Sequence, residues 1–198
     1  MSSLIAIEAL LLLIALSGIR FTSIALARPH GSIFLYVLAG MFFGAIAYGL
    51  ALLIFRRVHS YSASLRDLIS KVRSSVAHFG LAAVFIISIS AAIGEEALFR
   101  VFAQSWIDQF TPTWVAILTA SLLFAAAHAI SWVYFAITFV LGLLIGAAFA
   151  YTESVALAIS WHFSYDFLSL LVLTKFPNLL FLAVNDGESS APQSNGKS

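Results

Sequence analysis

The sequence predicts an all-α fold: a polytopic membrane helix bundle of about six transmembrane helices, with a surface amphipathic helix and a disordered C-terminal tail. Three observations carry this. Of 198 residues, 62% are hydrophobic and only 10% charged, and the mean hydropathy is +1.02. A soluble domain carries roughly 25% charged residues and has too little interior to hide so much apolar surface. The apolar residues also fall into runs close to the roughly 20 residues that cross the hydrocarbon of a bilayer. Finally, the basic residues concentrate in one stretch between two such runs, and the last residues are polar.

The first span runs from Leu4 to about Ala27 and carries Glu8 and Arg20. It lacks a basic leading segment and an A-x-A-like cleavage site, so it reads as a retained membrane helix. Ser32 to Phe55 is an uninterrupted second span. Arg56 to Phe79 sets Arg56, Arg57, Arg66, Lys71 and Arg73 against Asp67, while Leu65, Leu68, Ile69 and Val72 recur at helical spacing. That combination predicts an amphipathic helix lying at the membrane surface. Gly80 to about Gln109 begins purely apolar and turns polar at Glu95. Thr111-Pro112 then offers a hydroxyl N-cap and a proline at the first helical position. The next helix reaches about Ser131, and another spans Tyr134 to Tyr151. Its Gly142 and Gly146 form a small-xxx-small pair that permits close helix contact. The sixth span is roughly Ser154 to Leu173. Pro177 interrupts the apolar stretch Phe176–Val184, predicting a half-helix or an interfacial segment, and whether it crosses is left open. Residues 1–184 form a single membrane-embedded domain with 79–173 as its core helices, and 185–198 form the tail. No internal repeat of the transporter kind is present.

The composition also excludes. There is no cysteine, hence no disulfide, thiol nucleophile or cysteine metal site. A net charge of +1 provides no basic surface for phosphates, so the expected partner is the lipid bilayer and not nucleic acid. The five basic residues of the Arg56–Arg73 stretch place that stretch and the N-terminus in the cytoplasm. Odd-numbered helices then run outward, and the tail ends inside if Phe176–Val184 does not cross.

Ionisable groups at bilayer depth are costly and mark either function or a paired structural contact. Here Glu95, Glu96, Arg100, His128, His162 and Asp166 lie inside otherwise apolar helices. Glu95 stands 16 residues before Thr111 and His128 16 after Pro112. In a hairpin about that turn, both side chains lie about 24 Å along their helices and can be neighbours. Glu96 and Arg100 are spaced for an ion pair. His162 and Asp166, also four apart, share a helix face. Phe124, one turn before His128, is placed to wall the site. A carboxylate and two histidines converging in a dry cavity can do general acid–base work on a water.

G-EEALFR at Gly94–Arg100, FAAAH at Phe124–His128 and HFSYD at His162–Asp166 resemble the motifs EExxxR, FxxxH and Hxxx(N/D) of the CPBP family. That family of intramembrane proteases comprises CAAX-processing endopeptidases and bacterial bacteriocin-processing and self-immunity proteins. The resemblance implies Glu95 as general base for a water with His128 assisting, and His162 with Asp166 binding the oxyanion. It implies Arg100 orienting Glu96. The CAAX enzymes have asparagine where this chain has Asp166, and an ionised aspartate cannot donate to an oxyanion. Either Asp166 is protonated, or it orients His162 and the histidine alone donates.

Structural readings stand beside these. Glu96–Arg100 can be an ion pair that only neutralises two buried charges, and His162–Asp166 a buried hydrogen-bonded pair. Glu8 has no evident partner and reads as a helix-packing or headgroup contact. His30, His59 and His78 lie at helix ends or in loops and are assigned nothing. Trp106, Trp114, Trp132 and Trp161 mark interfaces or helix packing, and Tyr165 is placed to line the cavity. No cofactor is expected; the alternative is zinc or another divalent ion on Glu95, His128 and His162, against which stand the absence of an H-E-x-x-H pair and ligands drawn from three helices. The expected function is endopeptidase cleavage of a membrane-associated protein or peptide. C-terminal sorting-signal or secreted-peptide processing fits better than prenylated CAAX substrates, because the brevity of the chain suggests a bacterial inner membrane. The competing functions are a non-catalytic peptide-binding immunity or scaffold protein and a small ion or proton carrier. The oligomeric state is not legible.

Overall fold

A computed structural model describes residues 2–24, 29, 31–58 and 63–180 of the chain. The described residues contain helices and no strand: α1 (Ser2–Thr22), α2 (Ile33–Val58), α3 (Ala63–Val76), α4 (Leu81–Asp108), α5 (Thr113–Ala127), α6 (Trp132–Thr152) and α7 (Val155–Lys175), then a 3₁₀ turn at Pro177–Leu180. Five of them, α1, α2, α4, α6 and α7, are long and apolar enough to cross a membrane. The sixth apolar helix, α5, has 15 residues. The tail 185–198 and residues 181–184 lie outside the described residues.

Most boundaries follow local chemistry, and several depart from expectation. Thr111 does not cap α5. Its hydroxyl donates to the Ile107 carbonyl at the end of α4 (3.0 Å), and Pro112 takes the cap position with φ −58°. The helix from Pro112 ends at Ala127 and not at Ser131, because the Ser131 hydroxyl accepts the Tyr134 amide (3.1 Å) and starts α6 at Trp132. His128 is therefore the C-terminal residue of α5's cap and not a mid-helix position. At the other end of α6, Glu153 turns left-handed (φ 54°) and Ser154 caps α7 through the Leu157 amide (3.3 Å). The described part of Phe176–Val184 makes no span. It folds back so that Leu180 packs with Phe55 and Val172.

α7 is the centre of the bundle, packed against α2, α4 and α6, while α1 rests on α4 and α5 on α6. Large apolar side chains on the outer faces, such as Leu13, Phe42, Leu53 and Leu122, are exposed. In lipid that exposure costs nothing, so association rests on close fit and on internally satisfied polar groups. The tightest fit is between α2 and α7. Gly40 and Gly44 lie against the backbone of Leu157 and Trp161, and the Ser164 hydroxyl donates to the Met41 carbonyl (2.9 Å). Phe43 stacks on Trp161 (5.0 Å). A Cβ at Gly44 would meet the Trp161 carbonyl oxygen and lie 2.8 Å from the Ser164 Cβ. Gly44→Ala is therefore expected to destabilise by about 1–3 kcal/mol through overpacking, read as earlier thermal unfolding in detergent.

α3 lies over this assembly. Its Ile69 and Val72 line a cavity of about 310 Å³ whose other walls come from α2, α6 and α7.

Candidate active site

α4 is not a uniform helix. It is α-helical to Glu96, then π-helical over Ala97–Gln104, and α-helical again to Asp108. In an α-helix four residues overshoot one turn. The wider π turn brings every fourth residue more nearly into line, and here that line is Glu96, Arg100 and Gln104. All three are buried. The line faces α6, where Gly142 and Gly146 repeat the same spacing. Arg100 Nη2 reaches the Gly142 carbonyl (3.5 Å), and Gln104 Nε2 donates to the Gly146 carbonyl (2.9 Å). The glycine pair thus does more than let helices approach: it leaves backbone carbonyls open to polar side chains. π turns are uncommon and recur at functional sites.

Arg100 and Glu96 are both 0% exposed, with Arg100 Nε 3.3 Å from Glu96 Oε2. The other Glu96 oxygen, Oε1, lies 2.7 Å from His162 Nδ1. A carboxylate so paired accepts, so His162 Nδ1 carries a proton and Nε2 points onward. His162 Nε2 faces Glu95 Oε2 (3.8 Å) and Asp166 Oδ2 (3.3 Å). From the end of α5, His128 Nε2 approaches the same Glu95 oxygen (3.5 Å). His128 Nδ1 donates to the Phe124 carbonyl (2.9 Å), because a carbonyl can only accept. Its Nε2 is then the nitrogen available to share a proton with Glu95.

Phe124 holds these parts together. Its ring lies edge-on to His162 (centroids 5.6 Å) and Phe99 (5.2 Å), tilted to His128 (4.7 Å), and beneath the Arg100 guanidinium (4.8 Å). Burial is graded. The Glu96 and Arg100 side chains are sealed, those of Glu95 and His162 are 9% and 4% exposed, and those of His128 and Asp166 are 25% and 30% exposed. Asp166 opens on the 310 Å³ cavity, which Tyr134 and Tyr165 also line. The Tyr165 placement is as expected from its position on α7.

The structure therefore brings Glu95, Glu96, Arg100, Phe124, His128, His162 and Asp166 together from α4, α5 and α7. His78 lies elsewhere, with its ring against Phe79, and His30 and His59 fall outside the described residues. Among the described residues, no set of three or more histidines and acids is arranged to hold a metal ion. Sequence reasoning missed one contributor, Gln104. Gln104 was hidden because its alignment with Arg100 depends on the π turn. Glu8 of α1, far off in sequence, lies beside Gly94.

Residues 77–168 match the family described as type II CAAX prenyl endopeptidase, Rce1-like. Over that segment the chain is similar to an Rce1-like endopeptidase. The matched segment runs from just after α3 into α7 and contains all seven of the site residues just named. No curated protein and no solved structure matches it. The matching family is one of endopeptidases, hydrolases of peptide bonds, and the five long apolar helices accord with a multi-pass membrane protein.

Proposed function

We propose that this Rce1-like protein hydrolyses a peptide bond of a membrane-associated protein or peptide with a water activated by Glu95, without a metal ion. The observation that carries the reading is the convergence of both histidine Nε2 atoms on one oxygen of a nearly buried glutamate, at 3.5 and 3.8 Å. Glu95 takes a proton from the water as its oxygen bonds to the scissile carbonyl carbon. His128 shares that proton and keeps Glu95 oriented. The carbonyl oxygen becomes an oxyanion, and His162 donates to it from Nε2 when the ring is cationic. Asp166, 3.3 Å from Nε2, orients that ring, which is the second of the two roles open to an aspartate there. The intermediate collapses, the C–N bond breaks, and the proton held by Glu95 and His128 passes to the leaving amine. Glu96 fixes the far side of the His162 ring and is itself held by Arg100. Each of these effects is of the size expected for positioned acid–base and oxyanion groups, about 10²–10⁴-fold for the proton transfers.

The apolar cavity beside Asp166 suits a bulky apolar side chain or chain segment next to the scissile bond. A C-terminal sorting or anchor segment, or a secreted peptide, in a bacterial inner membrane fits that description. The test compares protein termini in membranes bearing wild type, Glu95→Ala or His162→Ala, with and without a metal chelator. Loss of one set of termini in both variants, resistant to the chelator, supports the reading and names the substrate, prenylated or not. Chelator sensitivity assigns the chemistry to a divalent ion on Glu95, His128 and His162 instead. Unchanged termini with both variants inserted leave a peptide-binding immunity or scaffold role.

A further inference from the structure

The residues of the candidate site and those that shape the cavity beside it come from different parts of the chain. Glu95 through Asp166 fall within the matched residues 77–168. The cavity walls on α2, on α3 and on the last turns of α7 lie outside that segment. The cavity follows α7 from Asp166 to Leu173. Seven helical residues rise about 10 Å, so the space is a pocket with depth. Tyr134, Tyr165 and Asp166 give one end polar atoms, whereas Leu52, Phe55 and Leu173 line it with apolar ones. Ile69 packs against the cluster of Phe55, Val172 and Leu180, which lies toward the Leu173 end. Ile69 and Val72, three apart and so on one face of α3, are partly buried, while Ser70, Lys71, Ser74 and Ser75 are exposed. A surface helix of this kind keeps its polar face outward, which leaves the apolar pair against whatever fills the cavity.

The volume, about 310 Å³, is about twice the roughly 150 Å³ that admits a benzene ring. One large side chain fits with the peptide groups that carry it. A charged side chain would be desolvated against walls that offer it little to pair with. Because the cavity is continuous with Asp166 of the site, a chain held at Glu95 reaches into it, whereas a lipid tail has no such anchor. We propose that Ile69 and Val72 are specificity-determining residues, closing the far part of the pocket so that it takes one large apolar side chain of the substrate, of leucine to tryptophan size, next to the bond that is cut. The inference rests on the reading of the site as a protease's, and it assigns selection to helices that flank the matched segment.

The test has two readouts on the full chain in liposomes. The sequence holds no cysteine, so Val72→Cys places a single thiol on the pocket wall. In a Glu95→Ala background, N-acetyltryptophanamide is expected to slow alkylation of that thiol by N-ethylmaleimide about threefold, the effect of a probe at about twice its Kd. N-acetylalaninamide at the same concentration should not. Equal slowing by both, or by neither, overturns the proposal. Slowing that follows the acyl chain length of the liposome lipid instead also overturns it and gives the pocket to a lipid tail. The second readout is the ratio of cleavage beside leucine or tryptophan to cleavage beside alanine, on matched peptides of the substrate named by the comparison of termini. Ile69→Trp and Val72→Phe fill the pocket from two positions, and each is expected to lower that ratio at least about tenfold. Both rates come from one preparation, so partial loss of folded protein cancels. A ratio unchanged in both variants overturns the proposal. Cleavage that survives Glu95→Ala defeats the reading of the base and leaves the ratio standing, and if the wild type cleaves nothing, the alkylation experiment decides the pocket by itself.

Discussion

Glu95→Ala is expected to reduce kcat by about 10²–10⁴-fold while the protein still inserts and unfolds near the wild-type temperature. The separation of the two effects follows from the contacts of the residue. Glu95 Oε2 meets only the histidine nitrogens, at 3.5 and 3.8 Å, and carries no hydrogen bond within 3.5 Å that meets the geometry of a strong one. Truncating it opens a small polar space and orphans no cation, since His162 keeps Glu96 and Asp166 as partners and the partly exposed His128 can be neutral. The change should fall on kcat and kcat/KM alike, because the proton is taken only as the transition state forms. Purified protein in liposomes, assayed on the peptide named by the comparison of termini, measures it. A variant that retains more than a tenth of the rate would sink the assignment of Glu95 as the base.

Arg100→Leu is expected to do the opposite, costing stability before chemistry. Arg100 and Glu96 are both wholly buried, and removing one partner leaves the other charge uncompensated, worth about 3–5 kcal/mol. The loss propagates. Glu96 would no longer be held toward His162 Nδ1, and the Gly142 carbonyl and the Phe124 ring would lose their cation. The double variant Arg100→Leu with Glu96→Leu should recover much of the unfolding temperature, since an apolar pair of similar volume replaces a desolvated ion pair, but not the activity. Recovery of stability together with activity would reduce Glu96 to a neutralising partner and remove it from the positioning of His162.

Much of the fold was legible because lipid imposes length and composition on every span. The Glu95–His128 juxtaposition was legible for a related reason: equal residue counts on either side of Thr111-Pro112 fix equal depth, and the two side chains do meet. What the pattern concealed is non-local. Nothing in Ala97–Gln104 announces a π turn, and the partners of its Arg100 and Gln104 are carbonyls of Gly142 and Gly146 on another helix. The α2–α7 contact at Gly40 and Gly44 looked like two glycines in an apolar run until Trp161 and Ser164 were placed against them. Glu8 looked solitary for the same reason, as its neighbour Gly94 lies on another helix. Helix ends went astray at Thr111 and Ser131, where hydroxyls that can cap in either direction were claimed by Ile107 and Tyr134.

The shortness of α5 has a consequence for the surrounding lipid. Fifteen residues rise about 22 Å, against a hydrocarbon thickness of about 30 Å, and Leu118, Leu122 and Leu123 on this helix face outward. Hydrophobic mismatch of that size is met by local thinning of the bilayer. One leaflet then dips toward the end of α5, and that end is where His128 sits. Headgroups and water that followed that leaflet would come nearer the buried glutamate at this one flank, and the proposed hydrolysis needs water there. Varying acyl chain length in liposomes would then be expected to change the rate.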